Sequence, residues 1–387
     1  MRTNSVREMQ ITARPPATPR TARRWGRPRS SERGLSLVEM LITLAISVTV
    51  IAVVMTIIEE AMKMSLFVES HNDLAVMSQR PVNNIQKEVL QARTVFGEDT
   101  VGTPYRTRLE TILSGGTVNT PDVPGSVLPI VDGAGVLAPD TGGVRATGNC
   151  LLVARQLSPV QIDVPADLTF PVGTYPAVTF MVDRYQFEYF YLTRNTTRKF
   201  RGGDYSLDLF RYRSVPYADY FQLSGLANLS PTQLSTLATR IKDPAGAANL
   251  QIAWNPGQPL LSSFYTIDAN LAFPPASLIT SNATLLAMQD NMSLLPELLK
   301  GRISGKMDYT VAYRVGNSPG TNIPGLSGLN PVPTYFETVA PMPLDCGFEV
   351  KVVGPQGNRR VLTRLVLYSN YGVTKFGSQE GFVITSG

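Results

Sequence analysis

The longest uncharged apolar stretch in the chain is Met40–Ile58, MLITLAISVTVIAVVMTII, nineteen residues between Glu39 and the acidic pair Glu59-Glu60. About 20 helical residues cross a bilayer, so this run predicts a membrane-spanning helix. Past Ile58 the pattern becomes periodic. Phe67, Leu74, Met77, Pro81, Ile85, Val89, Ala92 and Phe96 recur at steps of three, four or seven, separated by Glu69, Asp73, Gln79, Lys87, Glu88 and Arg93. That spacing predicts an amphipathic stalk helix over 59–96 that continues the span. Counted from Ser36 to Phe96 it would reach roughly 90 Å, more than any bilayer requires. Pro81 removes an intrahelical donor and should kink or interrupt the stalk. His71, the single histidine, falls on the same stripe and reads as a packing residue rather than a ligand or base.

From Gly97 to Asn149 the chain turns rich in Gly, Pro, Thr and Asp, which predicts turns and loops with short strands between them. Strand patterns then follow at Cys150–Gln156, Ala177–Val182, Tyr185–Leu192, Leu207–Ser214, Asp308–Val315, Phe348–Val353 and Leu362–Ser369. The segments YQFEYFYLT and LDLFRYRS alternate with period two about a polar connection, Arg194–Asp204, and predict an antiparallel hairpin. Between the strands, residues 224–301 read as an insertion. Ser230-Pro231-Thr232-Gln233 supplies an N-cap, a first-position proline and a polar third residue for a short helix. A second helix is predicted over Ala283–Lys300, stopped by Gly301. The fold class expected is therefore α+β, a long N-terminal helix packed on an antiparallel sheet head with a partly helical insertion.

Charge changes the picture only once it is divided. The chain carries +5, yet its first 34 residues hold nine arginines against Glu8 and Glu32, a local +7. Removing +7 from +5 leaves −2 for the remainder, so the basic balance belongs to the leader and nucleic acid is not an expected partner. Arginines before the span and acids after it place the leader in the cytoplasm and the head outside it. A secretory signal peptide would have a shorter apolar core and an Ala-x-Ala-like site, and neither is present. Arg23-Arg24 stands too far from the apolar run to read as a twin-arginine signal. The two cysteines, Cys150 and Cys346, have no Cys-x-x-Cys partner or nearby histidine to suggest a metal. In an oxidising compartment they can close one disulfide, worth roughly 2–4 kcal/mol, or remain two buried thiols.

The cytoplasmic edge of the span reads Arg33-Gly34-Leu35-Ser36-Leu37-Val38-Glu39. Ser36-x-x-Glu39 is a capping-box pattern, with the acid at the positive end of the helix dipole. The whole segment, RG/LSLVEMLITLAI, resembles the class III signal of type IV prepilins and type II secretion pseudopilins. The resemblance implies cleavage by a prepilin peptidase between Gly34 and Leu35, N-methylation of Leu35, and a filament-assembly role for Glu39 opposite the N-terminal amine of a neighbouring subunit. It implies four regions: a leader over 1–34, a transmembrane half-helix over 35–58, a stalk over 59–96 and an extracytoplasmic head over 97–387. The implied partners are the peptidase, other pilins or pseudopilins, and an inner-membrane assembly platform; the implied location is the bacterial inner membrane and, after assembly, a surface or periplasmic filament. The large head and the stretch SQRPVNNIQKEVLQARTVF are similar to PilW-like minor pilins and J-type minor pseudopilins, and the retained Glu39 argues against a K-type tip subunit.

An enzyme is the rival class. The sequence has no Gly-x-Ser-x-Gly elbow, phosphate-binding glycine loop, His-Glu-x-x-His helix or calcium-loop spacing, and its sole histidine lies on the stalk. No catalytic residue, cofactor or metal is assigned. Carboxylate-only hydrolysis stays open, since pairing in space is invisible in sequence. An adhesive or DNA-capturing minor pilin is the other alternative. Tyr185–Tyr191 with the basic cluster Arg194, Arg198, Lys199 and Arg201 is where stacking and phosphate contact would be sought, against the plainer reading of a sheet face with a solvated hairpin tip.

Overall fold

The structure, a computed structural model, describes residues 36–114, 126–132, 147–168, 175–199, 205–220, 226, 228–243, 245–246, 248–267, 288–295, 309–311, 347–354, 358–369 and 375–386. Within these ranges side chains are described except at 70–71, 194–199, 205–206, 288–291, 358, 366, 368–369 and 375–386. The chain divides into two compact units, 1–62 and 63–387. An apolar N-terminal helix and mixed, mostly antiparallel sheets make the fold α+β.

Helix α1 spans Leu37–Leu90 and runs through Pro81 without interruption. It ends six residues short of the predicted limit. Gln91 turns, and Ala92–Val95 becomes strand β1, pairing antiparallel with β3 (Leu151–Val164). The apolar positions Ala92 and Phe96, which fit a helical stripe, are instead buried from an extended segment that hydrogen-bonds to a sheet edge. In the first unit the apolar side chains of α1 are exposed, and this helix is long and apolar enough to cross a membrane. In the second unit Leu74, Val82, Ile85 and Val89 are fully buried. Each such side chain contributes about 1.5–3 kcal/mol relative to exposure.

The predicted single sheet is two sheets among the described residues. The first has eight strands: β1, β3, β4 (Val178–Lys199), β5 (Tyr205–Ser214), β6 (Tyr217–Asp219), β7 (Ile252–Trp254), β8 (Phe264–Thr266) and β9 (Met288–Ser293). Strand β4 merges two predicted strands and pairs along its length with β3, β5 and β6. The hairpin predicted from the aromatic segments is the β4–β5 pair, with Glu188 opposite Arg213 and Leu192 opposite Leu209. The second sheet has five strands: β2 (Val131–Asp132), β10 (Tyr309–Val311), β11 (Phe348–Val353), β12 (Asn358–Ser369) and β13 (Lys375–Ser386). Pairing is antiparallel except for β2 with β11 and β6 with β7. The sheets meet at Gly148, which exchanges backbone hydrogen bonds of 2.8 and 2.9 Å with Val350. A Cβ there would lie 2.4 Å from the Pro129 nitrogen, so glycine is required by close approach.

Each face of the first sheet has its own core. One packs Leu151, Val153, Phe190, Leu192, Leu207 and Leu209 against the buried stripe of α1, together with Phe348, Val350 and Leu365 of the second sheet. The other gathers Phe187, Tyr189, Tyr191, Tyr212 and Trp254 beneath helix α2, Gly102–Ser114. That helix falls where loops were predicted. Asp99 caps it, its Oδ1 accepting from the Val101 and Gly102 amides at 2.9 and 2.7 Å, and Tyr105, Leu109 and Leu113 form its buried face. Helix α3, Pro231–Lys242, has the predicted start: Ser230 Oγ accepts from the Gln233 amide at 3.1 Å and Gln233 Oε1 from the Ser230 amide at 3.2 Å. The helix predicted over Ala283–Lys300 is overturned in its described part, where Met288–Ser293 forms β9 beside β5. The open edge of β5 supplies cross-strand partners that outweigh local helix preference.

Candidate functional site

The candidate site begins at the first turn of α1. The Ser36 amide donates to Glu39 Oε2 at 3.0 Å, and the Glu39 amide donates to Ser36 Oγ at 3.3 Å. This is the reciprocal box read from the sequence, and it satisfies two amides that a helix start otherwise leaves open. The hydroxyls within the apolar run are also satisfied internally. Thr43, Ser47, Thr49 and Thr56 each donate to the carbonyl four residues earlier, at 2.5–3.0 Å. Every polar group so paired can enter hydrocarbon without an unmet donor. Gly34 and Leu35, the predicted cleavage pair, lie outside the described residues.

Cys150 is fully buried and a free thiol; Cys346 lies outside the described residues. Burial pushes the Cys150 thiol well above its usual range, only partly offset by a hydrogen bond with Tyr189, which leaves it a poor nucleophile. Arg194, Arg198 and Lys199 lie on the backbone of the C-terminal part of β4. Their side chains, and all of Arg201, lie outside the described residues, as does the side chain of His71. The run Tyr185–Tyr191, raised above as a stacking surface, is buried core and offers no ring to an incoming base. Among the described residues no group of three or more His, Cys, Asp or Glu is placed to hold a metal.

Sequence reading missed a charged cluster where α1 meets the first sheet. Residues of one parity along β3, β4 and β5 face the helix, and among them Arg155, Arg211 and Arg213 pair with Glu88 near the end of α1, while Arg155 and Arg213 also reach Glu188. Arg213 bridges both acids, with Nη2 3.1 Å from Glu88 Oε1 and Nε 2.8 Å from Glu188 Oε1. Arg155 also contacts both, through Nη1 to Glu88 Oε2 and through Nε, 3.5 Å from Glu188 Oε1. Arg211 Nη1 stands 3.6 Å from Glu88 Oε1. The Glu188 side chain is fully buried, and its Oε2 has no hydrogen-bond partner among the described residues. Burial, reinforced by the Glu88 charge, pushes its carboxyl above the ordinary glutamate range despite Arg155 and Arg213. The available sequence signal was acids and bases at inward positions of strands whose neighbours are apolar, Glu188 beside Phe190 and Arg211 beside Leu209.

A second ionic group holds α2. Arg106 pairs with Glu98 at 3.2 Å and Glu110 at 3.0 Å, and Glu110 accepts from the Tyr189 hydroxyl at 3.1 Å. Comparison with family models, with curated proteins and with solved structures returned no match.

Proposed function

We propose that the chain is a minor pilin or pseudopilin, a structural subunit of a type IV pilus or a type II secretion pseudopilus. In this reading a prepilin peptidase removes residues 1–34, Leu35 becomes the methylated N-terminus, and the helix inserts into a filament while the head stays outside the cytoplasm. The observation that carries the reading is the start of α1. A glycine and a fixed-offset glutamate follow an arginine-rich leader, and the glutamate closes a capping box at the mouth of an uncharged run. A carboxylate beside the bilayer costs a few kcal/mol to desolvate, so its retention needs a use. Pairing with the new amine of a neighbouring subunit is such a use, and the box holds the acid at the helix mouth until then.

Mass spectrometry of the protein from its native membrane tests this directly. The wild type should begin at methylated Leu35, and Gly34→Ala should remain full length. A native chain that keeps its arginine-rich leader, or a Gly34→Ala chain that still begins at Leu35, would refute the assignment.

A further inference from the structure

We propose that Glu188 is a proton-binding site at the joint between α1 and the first sheet, with the proton held on Oε2, and that proton uptake tightens the joint.

The geometry supplies an acceptor that can be filled without breaking anything. Among the described residues the guanidinium contacts of Glu188 fall on Oε1, from Arg213 Nε at 2.8 Å and Arg155 Nε at 3.5 Å. Oε2 is buried and without a hydrogen bond among the described residues. Protonation there leaves the Arg213 bond intact and removes a buried negative charge that is only half solvated by its surroundings. It also removes repulsion between two carboxylates that share Arg155 and Arg213. No guanidinium is stranded, because Arg155, Arg211 and Arg213 each also contact Glu88. Among the described residues the charged groups acting on Glu188 are Glu88 from α1, Arg155 from β3 and Arg213 from β5, while Arg211 of β5 stands against Glu88. Gln186 on β4 ties Arg155 in place at 3.3 Å, and β9 adds Met292, whose sulfur lies 2.8 Å from Arg211 Nη2. Solvent has a route to the cluster, since Arg155 also lines an open groove of about 530 Å³ with Gln91, Arg93, Gln156 and Ser158.

The direction of the effect follows from linkage. A carboxyl that binds its proton more tightly in the folded protein than in the unfolded chain adds stability as pH falls through the folded value. That increment is complete below the ordinary glutamate value of about 4.3 and is lost as pH rises. Acidification therefore strengthens this joint, opposite to the usual behaviour of a salt-bridged acid.

The test compares full-length wild type and Glu188→Gln in detergent, melted from about pH 8 to about pH 4, on either side of the ordinary glutamate value. Glutamine imitates the protonated acid, so the variant should melt higher by about 2 °C or more at the alkaline end, with the difference closing as pH falls. Infrared difference spectra of the wild type should show a protonated carboxyl band that grows as pH falls, already at pH above the ordinary glutamate value of about 4.3, and that is missing from the variant. Melting curves that run parallel at every pH, a variant that melts lower or fails to fold, or identical infrared spectra would each overturn the proposal.

Discussion

Helix α1 carries a glutamate near each end, and the two are satisfied in opposite ways. Glu39 is exposed, and its carboxylate is paired with the Ser36 amide, three residues away. Glu88 is buried and is held by three arginines 67 to 125 positions distant in sequence. The first is a local solution, complete as soon as one helical turn forms. The second exists only after α1 has docked against β3 and β5, and until then its charges stand in water. The contrast separates a residue that the rest of the head can ignore from one on which the head depends.

The largest effect should come from breaking the distant solution. Glu88→Ala leaves three guanidiniums around a single buried acid, and loss of one partner from a buried ionic group costs about 3–5 kcal/mol. Denaturant unfolding of the head should report that loss; an unchanged midpoint would mean that water solvates the arginines and that the cluster is superficial.

A smaller effect should sharpen the comparison at Ser230, where a local box has acquired a tertiary partner. Its hydroxyl caps α3 and also donates to Asp167 Oδ2 at 2.6 Å, in a buried setting. Ser230→Ala should cost about 1–2 kcal/mol, the range for a lost N-cap. Ser230→Thr, which keeps the oxygen, should recover most of it. A loss equal in both variants would place the effect in packing rather than capping.

The smallest effect on folding belongs to Glu39. Glu39→Ala should leave the melting of the head and the insertion of the helix into membranes unchanged, yet reduce incorporation into filaments, measured by shearing and immunoblotting. Normal incorporation would remove the assembly role, whereas a destabilised head would show that the acid at this end is not local after all.

Much of the architecture was legible in periodicity. The uncharged run gave the apolar helix, period-two alternation gave the β4–β5 hairpin, and Ser-x-x-Glu and Ser-Pro-x-Gln gave two boxes that form with the expected bonds. What failed did so for identifiable reasons. Ala92–Val95 continues a helical stripe in sequence but finds β3 beside it, and Met288–Ser293 has no strand character beyond what the edge of β5 confers. Helix α2 was hidden by a glycine and a proline in its first turn, although Asp99 and the four-residue spacing of Tyr105, Leu109 and Leu113 were readable. The aromatic run Tyr185–Tyr191 looked available for stacking because alternation cannot tell a sheet with one wet face from one covered on both sides.

By itself the sequence determined the elements whose stabilising groups lie within a few residues of one another: the apolar helix, its capped start, the cap of α3 and the alternating hairpin. Only the tertiary structure decided where α1 ends, that the strands divide into two sheets joined at Gly148, and that five charged residues from four elements share one buried site. The physical reason is range. A turn of helix closes its own hydrogen bonds, while a buried carboxylate can be stabilised only by partners that the fold brings to it from far along the chain.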